Sequence, residues 1–251
     1  MIKPERHDRI LSEIARRGAA SVAELAALLG VSEATIRRDL QELGESGLLR
    51  RTHGGASLAD QSDELPYHFK VTAFLPEKRR IGAVAASMVQ DGQVVGCTGG
   101  TTVAQFVRAL RGRKVTVVTS AVNVAADLAS SPETEVFVTG GALRGRSFEM
   151  VGHTAERAIR EFRLDVAVVG VDGLSVEYGL TTYNPAEAHV NRTFIEQAKE
   201  VWVVADHSKL GKVTPAIIAP VERMHRLVTD SSAPHDFLAR LQQLGIQTIT
   251  A

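Results

Sequence analysis

The first fifty residues repeat apolar side chains at the spacing that is typical of α-helices. One run lies within residues 4–17 and stops at Gly18, and a second follows Ser21 and stops at Gly30. Ser21 precedes Glu24 by three residues, which is the spacing of a capping box that closes the first turn of a helix with reciprocal hydrogen bonds. The pattern predicts two short helices separated by a brief connection.

A third run begins after Ser32, a residue type that caps the amino termini of helices. Ile36, Leu40 and Leu43 then follow at i, i+4 and i+7 and form one apolar stripe. Two short helices joined by a glycine-containing turn are typical of a helix-turn-helix, in which the second helix of the pair reads DNA.

The polar side of this third helix is basic. Each residue turns a helix by about 100°, so a buried Ile36 sends the opposite positions outward: Ala34, Arg37, Arg38 and Gln41. Arginine can donate two hydrogen bonds to a guanine edge or bind phosphates, and the hydroxyls of Ser32 and Thr35 can add phosphate contacts. Asp39 does not suit that role, and we interpret it as orienting an arginine or facing solvent.

The stretch LLRRTHGGAS, residues 48–57, predicts a β-hairpin that forms a wing beside the helices. Two consecutive glycines permit the positive backbone angles of a tight turn. The hairpin would suit a phosphate or minor-groove contact. The hairpin contributes four residues to the predicted DNA-binding set: Arg50, Arg51, His53 and Gly54. Ser21 completes that set.

From Glu77 onward, short apolar runs alternate with helical stretches. The predicted strands are residues 93–98, 114–119, 135–140, 165–170 and 200–205, and the predicted helices are residues 78–90, 102–110, 121–130, 153–161 and 185–198. This alternation is typical of an α/β fold with a mostly parallel sheet covered on both faces. Residues 59–76 lack a clear period and contain two prolines. We therefore predict a small domain at residues 1–58, a linker at 59–76 and a larger α/β domain at 77–251.

Glycines and polar residues follow each of the five predicted strands. Ligands of such sheets bind beyond the carboxyl ends of the strands, where these loops meet. Hydroxyls and helix amides suit an anion such as phosphate, Asp carboxylates would bind sugar hydroxyls, and Lys209 would bind a phosphate. The candidate residues for a phosphorylated small molecule are Thr98, Gly99, Gly100, Thr101, Thr102, Ser120, Asn123, Gly140, Gly141, Arg144, Asp172, Gly173, Glu187, Asp206 and Lys209.

Charge and cysteine content narrow the possible partners. The chain has 29 basic and 29 acidic residues, so a nucleic-acid partner must be served by a local patch. Residues 1–57 carry nine Lys and Arg against eight Asp and Glu, so tight DNA binding would need more than one copy. The single cysteine, Cys97, is expected in the core and excludes an internal disulfide. We expect no cofactor, no metal, no membrane partner and a cytoplasmic location.

The segment SVAELAALLGVSEATIRRDLQELGESGLLRRTHGGA resembles the amino-terminal winged helix-turn-helix of the DeoR family of bacterial transcriptional regulators. TGGTT, VTGGALRG and the run from GVDGL to ADHSKLG resemble the sensor domain of that family, so the resemblance covers nearly the whole chain. It implies that residues 50–55 form the wing and that four side chains face operator DNA, namely Ser32, Thr35, Arg37 and Arg38.

The resemblance also implies a sensor fold related to ribose-5-phosphate isomerase and CoA transferases. It implies a phosphorylated sugar or related metabolite as effector, and repression of a sugar-catabolic operon that the effector usually releases. The family often has Asp where Thr98 stands and Asn where Ser120 stands, so a ligand that touches those positions would meet a different surface here.

An enzyme is the alternative interpretation of the larger domain. Glu187, His189 and Arg192 could supply an acid and a base, as in a sugar-phosphate isomerase. The sequence lacks a nucleophile elbow, a phosphate-loop lysine signature and an HExxH motif, and an enzyme would leave the DNA-reading helix unexplained. A purely architectural DNA binder would leave the ligand loops unexplained. We expect a ligand-responsive regulator, a dimer or tetramer, whose effector changes the relative placement of two DNA-binding heads.

Overall fold

The computed structural model describes residues 2–45, 49–58 and 64–251. Contacts within the chain divide it into two compact units, Met1–Leu75 and Pro76–Ala251. Among the described residues, none of the helices combines the length and apolar character that crossing a bilayer requires.

The first unit is a helical domain with a small antiparallel sheet. Its helices are α1 (Lys3–Arg17), α2 (Val22–Leu29), α3 (Glu33–Glu45) and the short α4 (Tyr67–Lys70), and its strands are β1 (Ala19–Ser21), β2 (Leu49–Thr52) and β3 (Gly55–Leu58). β3 lies between β1 and β2 in the sheet. The predicted helix-turn-helix and hairpin are confirmed, whereas the third strand, β1, was not predicted.

The helix boundaries follow the predicted capping residues. The Ser21 hydroxyl accepts the amide of Glu24 while the Glu24 carboxylate accepts the amide of Ser21, so the capping box is formed. Gly30 ends α2 in the left-handed conformation, with φ of 65°. The Ser32 hydroxyl accepts the amide of Thr35 at the start of α3. These local hydrogen bonds set the turn between α2 and α3.

One apolar core holds the first unit together. It joins side chains from all three long helices to the sheet and to α4, and it includes Ile10, Leu11, Ile14, Leu25, Ile36, Leu40, Leu43, Leu49, Ala56 and Phe69. The stripe predicted for α3 is therefore the side that faces the core, and burial of this apolar surface holds the helix in place.

The predicted linker, residues 59–76, falls partly on residues 59–63, which lie outside the described residues. The remainder includes α4, whose Phe69 is buried in the core of the first unit, and the beginning of the next helix. The linker boundaries remain a prediction.

The second unit is built on a seven-stranded parallel sheet. Its strands are β4 (Val94–Cys97), β5 (Thr116–Thr119), β6 (Glu135–Val138), β9 (Leu164–Val169), β12 (Ala198–Val204), β14 (Arg226–Thr229) and β15 (Gln247–Thr250). Their order across the sheet is β15-β14-β12-β9-β4-β5-β6. The five predicted strands are the five consecutive members from β12 to β6.

Helices cover both faces of this sheet. α5 (Leu75–Ser87), α6 (Thr101–Ala109) and α7 (Val122–Leu128) pack on one face, and α8 (His153–Arg160), α9 (Pro185–Gln197) and α10 (His235–Gln243) pack on the other. Neighbouring strand residues alternate between the two cores, as Val117 and Val118 do. Burial on both faces explains why the strands are almost continuously apolar.

The second unit also contains two small antiparallel sheets that are separate from the main sheet. β7 (Ala142–Arg144) pairs with β8 (Glu149–Val151), and β10 (Gly173–Ser175), β11 (Gly179–Thr182) and β13 (Ala216–Ala219) form a separate three-stranded sheet. The sequence did not indicate these pieces because three or four residues are too few to show a period. β14, α10 and β15 were also missed, and β15 is a polar strand at the edge of the main sheet.

Candidate DNA interface and candidate effector site

The outward face predicted for α3 is exposed in the structure. Four of its side chains lie on the surface: Ala34, Arg37, Arg38 and Gln41. Arg37 donates to Glu33 at 2.6 Å, so one carboxylate partly offsets its charge. Arg38 forms no ion pair with any residue that the structure describes. Of the two arginines, Arg38 therefore offers its whole charge to a partner.

Asp39 lies on the opposite side of α3 and is 1% exposed. Its carboxylate accepts two hydrogen bonds from Arg6 of α1, at 2.5 Å and 2.9 Å, and lies 3.1 Å from Nε2 of His7. Burial by itself would raise the pKa of Asp39, but the hydrogen bonds from Arg6 and His7 outweigh burial and lower it. Of the two roles left open by the sequence, Asp39 orients an arginine and does not face solvent.

The serine and threonine hydroxyls of the predicted interface make hydrogen bonds within the first unit. The Ser32 hydroxyl caps α3 and lies 2.9 Å from the hydroxyl of Thr35, and both side chains are at least partly exposed. The Ser21 hydroxyl is held by both the amide and the carboxylate of Glu24. The Ser21 hydroxyl thus serves to cap α2. Ser32 and Thr35 lie at the amino end of the recognition helix.

The wing is a hairpin between β2 and β3 with His53 and Gly54 at its turn. Gly54 has φ of 90°, a conformation that favours glycine, and a Cβ added to Gly55 would overlap the carbonyl oxygen of Ala20 in β1. Arg50, Arg51 and His53 are exposed. Leu48, the first leucine of the predicted hairpin, lies outside the described residues.

The second unit has its switch in winding direction between β4 and β9. From β4 the chain proceeds outward through β5 and β6, and from β9 it proceeds the other way through β12, β14 and β15. Loops that leave the carboxyl ends of two such strands diverge and open a crevice between them, which is where α/β proteins bind ligands. The loops after β4 and β9 contain the predicted residues 98–102 and 170–173.

Thr98 joins these two loops. Its hydroxyl accepts the amide of Gly170 at 3.0 Å and donates to the carbonyl of Gly99 at 3.2 Å, and its side chain is fully buried. The proton and one of the two acceptor lone pairs of the hydroxyl are therefore used within the chain. That Thr98 contacts an effector stays a prediction, and such a contact would use the remaining lone pair of this buried hydroxyl.

The glycines after β4 allow close packing at the amino terminus of α6. Gly100 has φ of 115°, and a Cβ added to Gly99 would overlap the side chain of Glu149, which is 5% exposed. Thr101 is half-buried and Thr102 is buried, and both lie in the first turn of α6. A carboxylate of the protein itself therefore borders the loop that the sequence assigned to phosphate.

Ser120 and Asn123 follow β5 as predicted. The carbonyl of Ser120 accepts the amide of Met150 at 2.7 Å, which brings β8 alongside this loop. The Ser120 hydroxyl is buried and has no hydrogen-bond partner within the described chain. Asn123 is half-buried in the first turn of α7. A buried hydroxyl without a partner is unusual, and it marks a place where a ligand or water would complete the hydrogen bonding.

Gly140 and Gly141, after β6, serve the packing of the next elements. Both have positive φ, of 70° and 116°, and their nearest neighbours are Val151, Thr154 and Ala155. These contacts lead toward β8 and α8. They give the two glycines a structural role in bringing the β7–β8 hairpin back to the sheet.

Five polar side chains form a connected cluster around Glu187, which is 2% exposed. Arg144 donates to Glu187 at 2.7 Å, Ser147 donates to the same oxygen, and the Thr182 hydroxyl lies 3.4 Å from the other. Thr182 also donates to Asp172 at 3.1 Å, and Lys209 lies 3.8 Å from Asp172. The structure thus brings together four predicted residues from three loops and α9.

Asp206 and two lysines lie beyond β12. Oδ1 of Asp206 accepts the amide and hydroxyl of Ser208, whereas Oδ2 is buried and without a hydrogen-bond partner in the part of the chain that is described. The pKa of the exposed Lys212 is lowered, first by partial desolvation and then by the charge of Lys209, with Asp206 acting in the opposite direction. The amide of Lys212 donates to the carbonyl of Lys209 at 3.4 Å, so the two lysines are neighbours at this strand end.

Several residues of these sites were missed from the sequence. They are Arg6 in the first unit and Ser147, Glu149, Thr182 and Lys212 in the second. Lys212, three residues after Lys209 at the same strand end, carried a signal that could have been used. Local sequence holds no signal for Arg6, Ser147 and Glu149, because their partners lie far along the chain.

The residues proposed for an enzyme do not assemble. Glu187 is buried in the cluster above, while His189 is exposed on another side of α9. Arg192 donates to the carbonyls of Ile218 and Ile217, each at 2.8 Å, and so braces β13. Cys97 is fully buried, and burial raises the pKa of its thiol, which confirms a core position and disfavours a reactive thiolate.

Comparison with known proteins covers both units. Residues 6–62 match the DeoR-like helix-turn-helix domain and residues 74–231 match the DeoR C terminal sensor domain. The chain is 34% identical over 245 residues to the HTH-type transcriptional repressor CsqR of Escherichia coli K12, with 97% of this chain and 94% of that protein covered. It is 31% identical over 248 residues to the glycerol-3-phosphate regulon repressor of the same organism, with 98% of each covered. A ribose 5-phosphate isomerase from Methanocaldococcus jannaschii superposes with a TM-score of 0.42 at 20% identity, over 55% of each chain.

Proposed function

This chain belongs to the DeoR family of transcriptional regulators, and from that premise we propose that a phosphorylated sugar controls its affinity for operator DNA. The protein is a DNA-binding transcriptional regulator, and its relatives include repressors by name. We assign DNA binding to residues 1–58, a linker to residues 59–76 and effector sensing to residues 77–251. The regulated genes that best suit this effector are genes of carbohydrate use.

The DNA-binding assignment is supported by exposed basic groups on rigid elements. Arg37, Arg38 and Gln41 stand on the outer side of a helix whose inner side is fixed by the core and by Asp39. Side chains on such a helix read base edges, while the exposed Arg50 and Arg51 of the wing suit phosphates.

The effector assignment rests on one observation above the others. Two buried polar atoms, Ser120 Oγ and Asp206 Oδ2, have no hydrogen-bond partner among the residues that the structure describes. They lie at carboxyl ends of strands that flank the switch point, and Lys209 and Lys212 lie near Asp206. Unpaired buried polar groups cost about 1–3 kcal/mol each, so a ligand that supplies hydroxyls to Asp206 and Ser120 would recover that cost. A phosphate would bind the two lysines.

A single first unit carries little net positive charge, so we assign the active form to a homo-oligomer, either a dimer or a tetramer. Two heads would read half-sites that are about one helical turn apart, or a multiple of that distance. Such a regulator works in the cytoplasm, where its DNA lies. Effector binding would change the relative placement of the heads, and a coupling of about 1–3 kcal/mol would change DNA affinity by roughly 5- to 150-fold.

The test is a fluorescence-anisotropy titration of the full chain against DNA from upstream of its own gene, at fixed salt, without and with each member of a panel of sugar phosphates. Sequence-specific binding that one phosphate shifts several-fold supports the proposal. Binding no tighter than to random DNA contradicts the operator assignment. Specific binding that no sugar phosphate shifts contradicts the effector assignment, and the panel is then tested for turnover, which the isomerase alternative requires.

A further inference from the structure

We propose that two copies of this chain associate through the open edge of the main sheet, by antiparallel pairing of β6 with β6 of the second copy. The inference rests on the proposed function, which needs an oligomer, and it names the surface that forms one. Beyond β6, the main sheet has no further strand among the residues that the structure describes. A two-fold axis, the commonest symmetry of homo-oligomers, would relate the two copies.

The two edges of the main sheet carry different side chains. On β6, Phe137 is 40% exposed and Val138 is 48% exposed. On β15, the strand at the other edge, the exposed residues are Gln247 and Thr250. Unpaired backbone groups beside exposed apolar side chains attract another strand, whereas polar side chains discourage such pairing. The β6 edge is therefore the one that is suited to a partner.

The backbone of β6 has hydrogen-bonding groups that point away from the sheet. The amides of Glu135 and Thr139 donate to carbonyls on the β5 side, at 3.0 Å and 3.1 Å. Backbone groups of successive residues in a strand point in opposite directions, so those of Phe137 face β5 as well. The amides and carbonyls of Val136 and Val138 consequently face outward, where a further strand would bind them.

A two-fold axis at Phe137 brings these outward groups together. It places Val136 of each copy opposite Val138 of the other, and each such pair exchanges two hydrogen bonds, so the two pairs form four. Registers shifted along the strand fit less well. The amide of Thr134 already donates within its own turn, and Gly140 leaves the extended conformation with φ of 70°. The edge is thus complementary to itself in one register.

The same register places Phe137 opposite Phe137 of the second copy. The two residues form a pair without backbone hydrogen bonds, in which the Cα atoms lie about 4.5 Å apart and the side chains are close. Aromatic pairs across strands stabilise sheets. Phe137 already packs on Phe162, with ring centroids 5.0 Å apart, so the pairing would bring four aromatic rings together.

The charged residues of this edge are compatible with a second copy. In the proposed register Glu135 lies opposite Thr139, and the Glu135 carboxylates of the two copies lie at opposite ends of the paired strands. Glu161, which precedes Phe162, is exposed and would stay in water at the rim of the interface. Within the paired strands, like charges therefore do not lie directly opposite one another, an arrangement that would be destabilising.

Helix α7, beside the edge, permits a close approach. Asp127 on one of its sides pairs with Arg108 of α6, so that side faces into the unit. The helical period then places three small or β-branched side chains toward the open edge, namely Val122, Ala125 and Ala129. Side chains of this size leave room for α7 of the second copy.

A second copy is favoured over a strand of another protein for a further reason. Residues 1–57 carry nine basic and eight acidic residues, so a single DNA-binding unit has little net charge with which to hold DNA. An isologous contact between two copies supplies the second unit. The edge therefore meets a requirement of the proposed function.

The experiment measures self-association of the full chain by sedimentation velocity over a series of concentrations. Val138→Pro removes an outward amide and leaves the hydrogen bonds between β5 and β6 in place. Val138→Lys places a charge at the same exposed position and decides the question if proline lowers the melting temperature. Thr250→Pro is the matched control, because the amides of Gln247 and Ala251 face β14 and that of Thr250 faces outward at the other edge.

Both Val138 variants are expected to raise the Kd of self-association about tenfold or more, since Val138→Pro removes two of the four hydrogen bonds and Val138→Lys puts two charges into the interface. Thr250→Pro should associate as wild type does. Folded Val138 variants that associate as wild type does, or a wild type that is monomeric throughout, overturn the inference and leave the edge to another protein's strand or to solvent. If the Val138 variants dissociate but the wild type binds no DNA specifically, the proposed function fails while the interface stands.

Discussion

The guanidinium of Arg6 donates two hydrogen bonds, of 2.5 Å and 2.9 Å, to the buried carboxylate of Asp39 and so ties α1 to the inner side of the recognition helix. The two residues are 33 positions apart in the chain. Asp39 directly follows Arg38, so the ion pair on one side of α3 fixes the rotation at which the exposed arginines are presented on the other.

Removing one partner of this ion pair should destabilise the first unit. Asp39→Asn leaves the Arg6 charge without a buried counter-charge, and we expect a loss of about 3 kcal/mol in the free energy of unfolding of residues 2–45. Hydrogen exchange of peptides that cover α3 measures this unit. Trp202, the one tryptophan of the chain, reports the second unit by fluorescence and should not change.

Glu33→Gln is the matched control, because it breaks an exposed ion pair with Arg37 on the same helix. We expect that change to alter the free energy of unfolding by no more than about 0.5 kcal/mol. Equal exchange rates in Asp39→Asn and Glu33→Gln would show that the buried pair does not stabilise the unit.

The stability of the first unit should fall in acid. The pKa of Asp39 is lowered in the folded state, so its stabilising contribution is complete above the pKa of an unfolded aspartate, near 4, and is lost as the pH falls through the folded pKa. Exchange of the α3 peptides measured between pH 6 and 3 should show this loss in wild type and a smaller one in Asp39→Asn. Parallel profiles would assign the acid sensitivity to other groups.

Arg38→Ala should weaken operator binding without changing the fold. Arg38 is exposed and forms no ion pair with the described residues, so we expect a loss of about 1–3 kcal/mol in binding free energy and an unchanged melting temperature. Arg17→Ala, on the exposed surface of α1, is the control. Fluorescence anisotropy with operator DNA and with random DNA distinguishes base reading from phosphate contact. Weaker binding to operator alone indicates that Arg38 reads a base, and equally weaker binding to both indicates that it contacts a phosphate.

Lys209→Ala should abolish the effector response and leave DNA binding intact. The variant removes one of the two ammonium groups proposed to bind phosphate, and we expect at least a tenfold weaker effector response, or about 1.4 kcal/mol. Lys114→Ala, an exposed lysine that precedes β5 at the amino ends of the strands, provides the control. An effector response as strong as in wild type would remove Lys209 from the site.

Substitutions of Thr98 and Ser120 should affect different properties of the protein, although both residues follow strands at the same edge of the sheet. Thr98→Val removes the acceptor for the Gly170 amide, so we expect about 1–3 kcal/mol lower stability of the second unit, measured by Trp202 fluorescence in urea. Ser120→Ala removes a hydroxyl without a described partner. It should weaken effector binding and cost little stability, and the reverse pattern would exchange the two roles.

The sequence by itself determined the elements whose cause is local. Capping residues and apolar periods set the end of α1, both ends of α2 and the beginning of α3, and the hydrophobic alternation after Glu77 identified five strands of the main sheet. Each of these signals links residues a few positions apart. The exposed side of α3 also followed from sequence, because one buried residue and the helical period fix the rest of the helix.

Only the tertiary structure decided which polar side chains form hydrogen bonds within the chain and which remain available to a ligand. The bonds that settle this join residues far apart: 33 positions for Arg6 and Asp39, 40 for Ser147 and Glu187, and 72 for Thr98 and Gly170. The resemblance to a family marked both Thr98 and Ser120, yet the fold gives the Thr98 hydroxyl two hydrogen bonds and gives the Ser120 hydroxyl none among the described residues. A side chain's hydrogen bonds depend on what packing places within about 3 Å of it, and no local pattern contains that information.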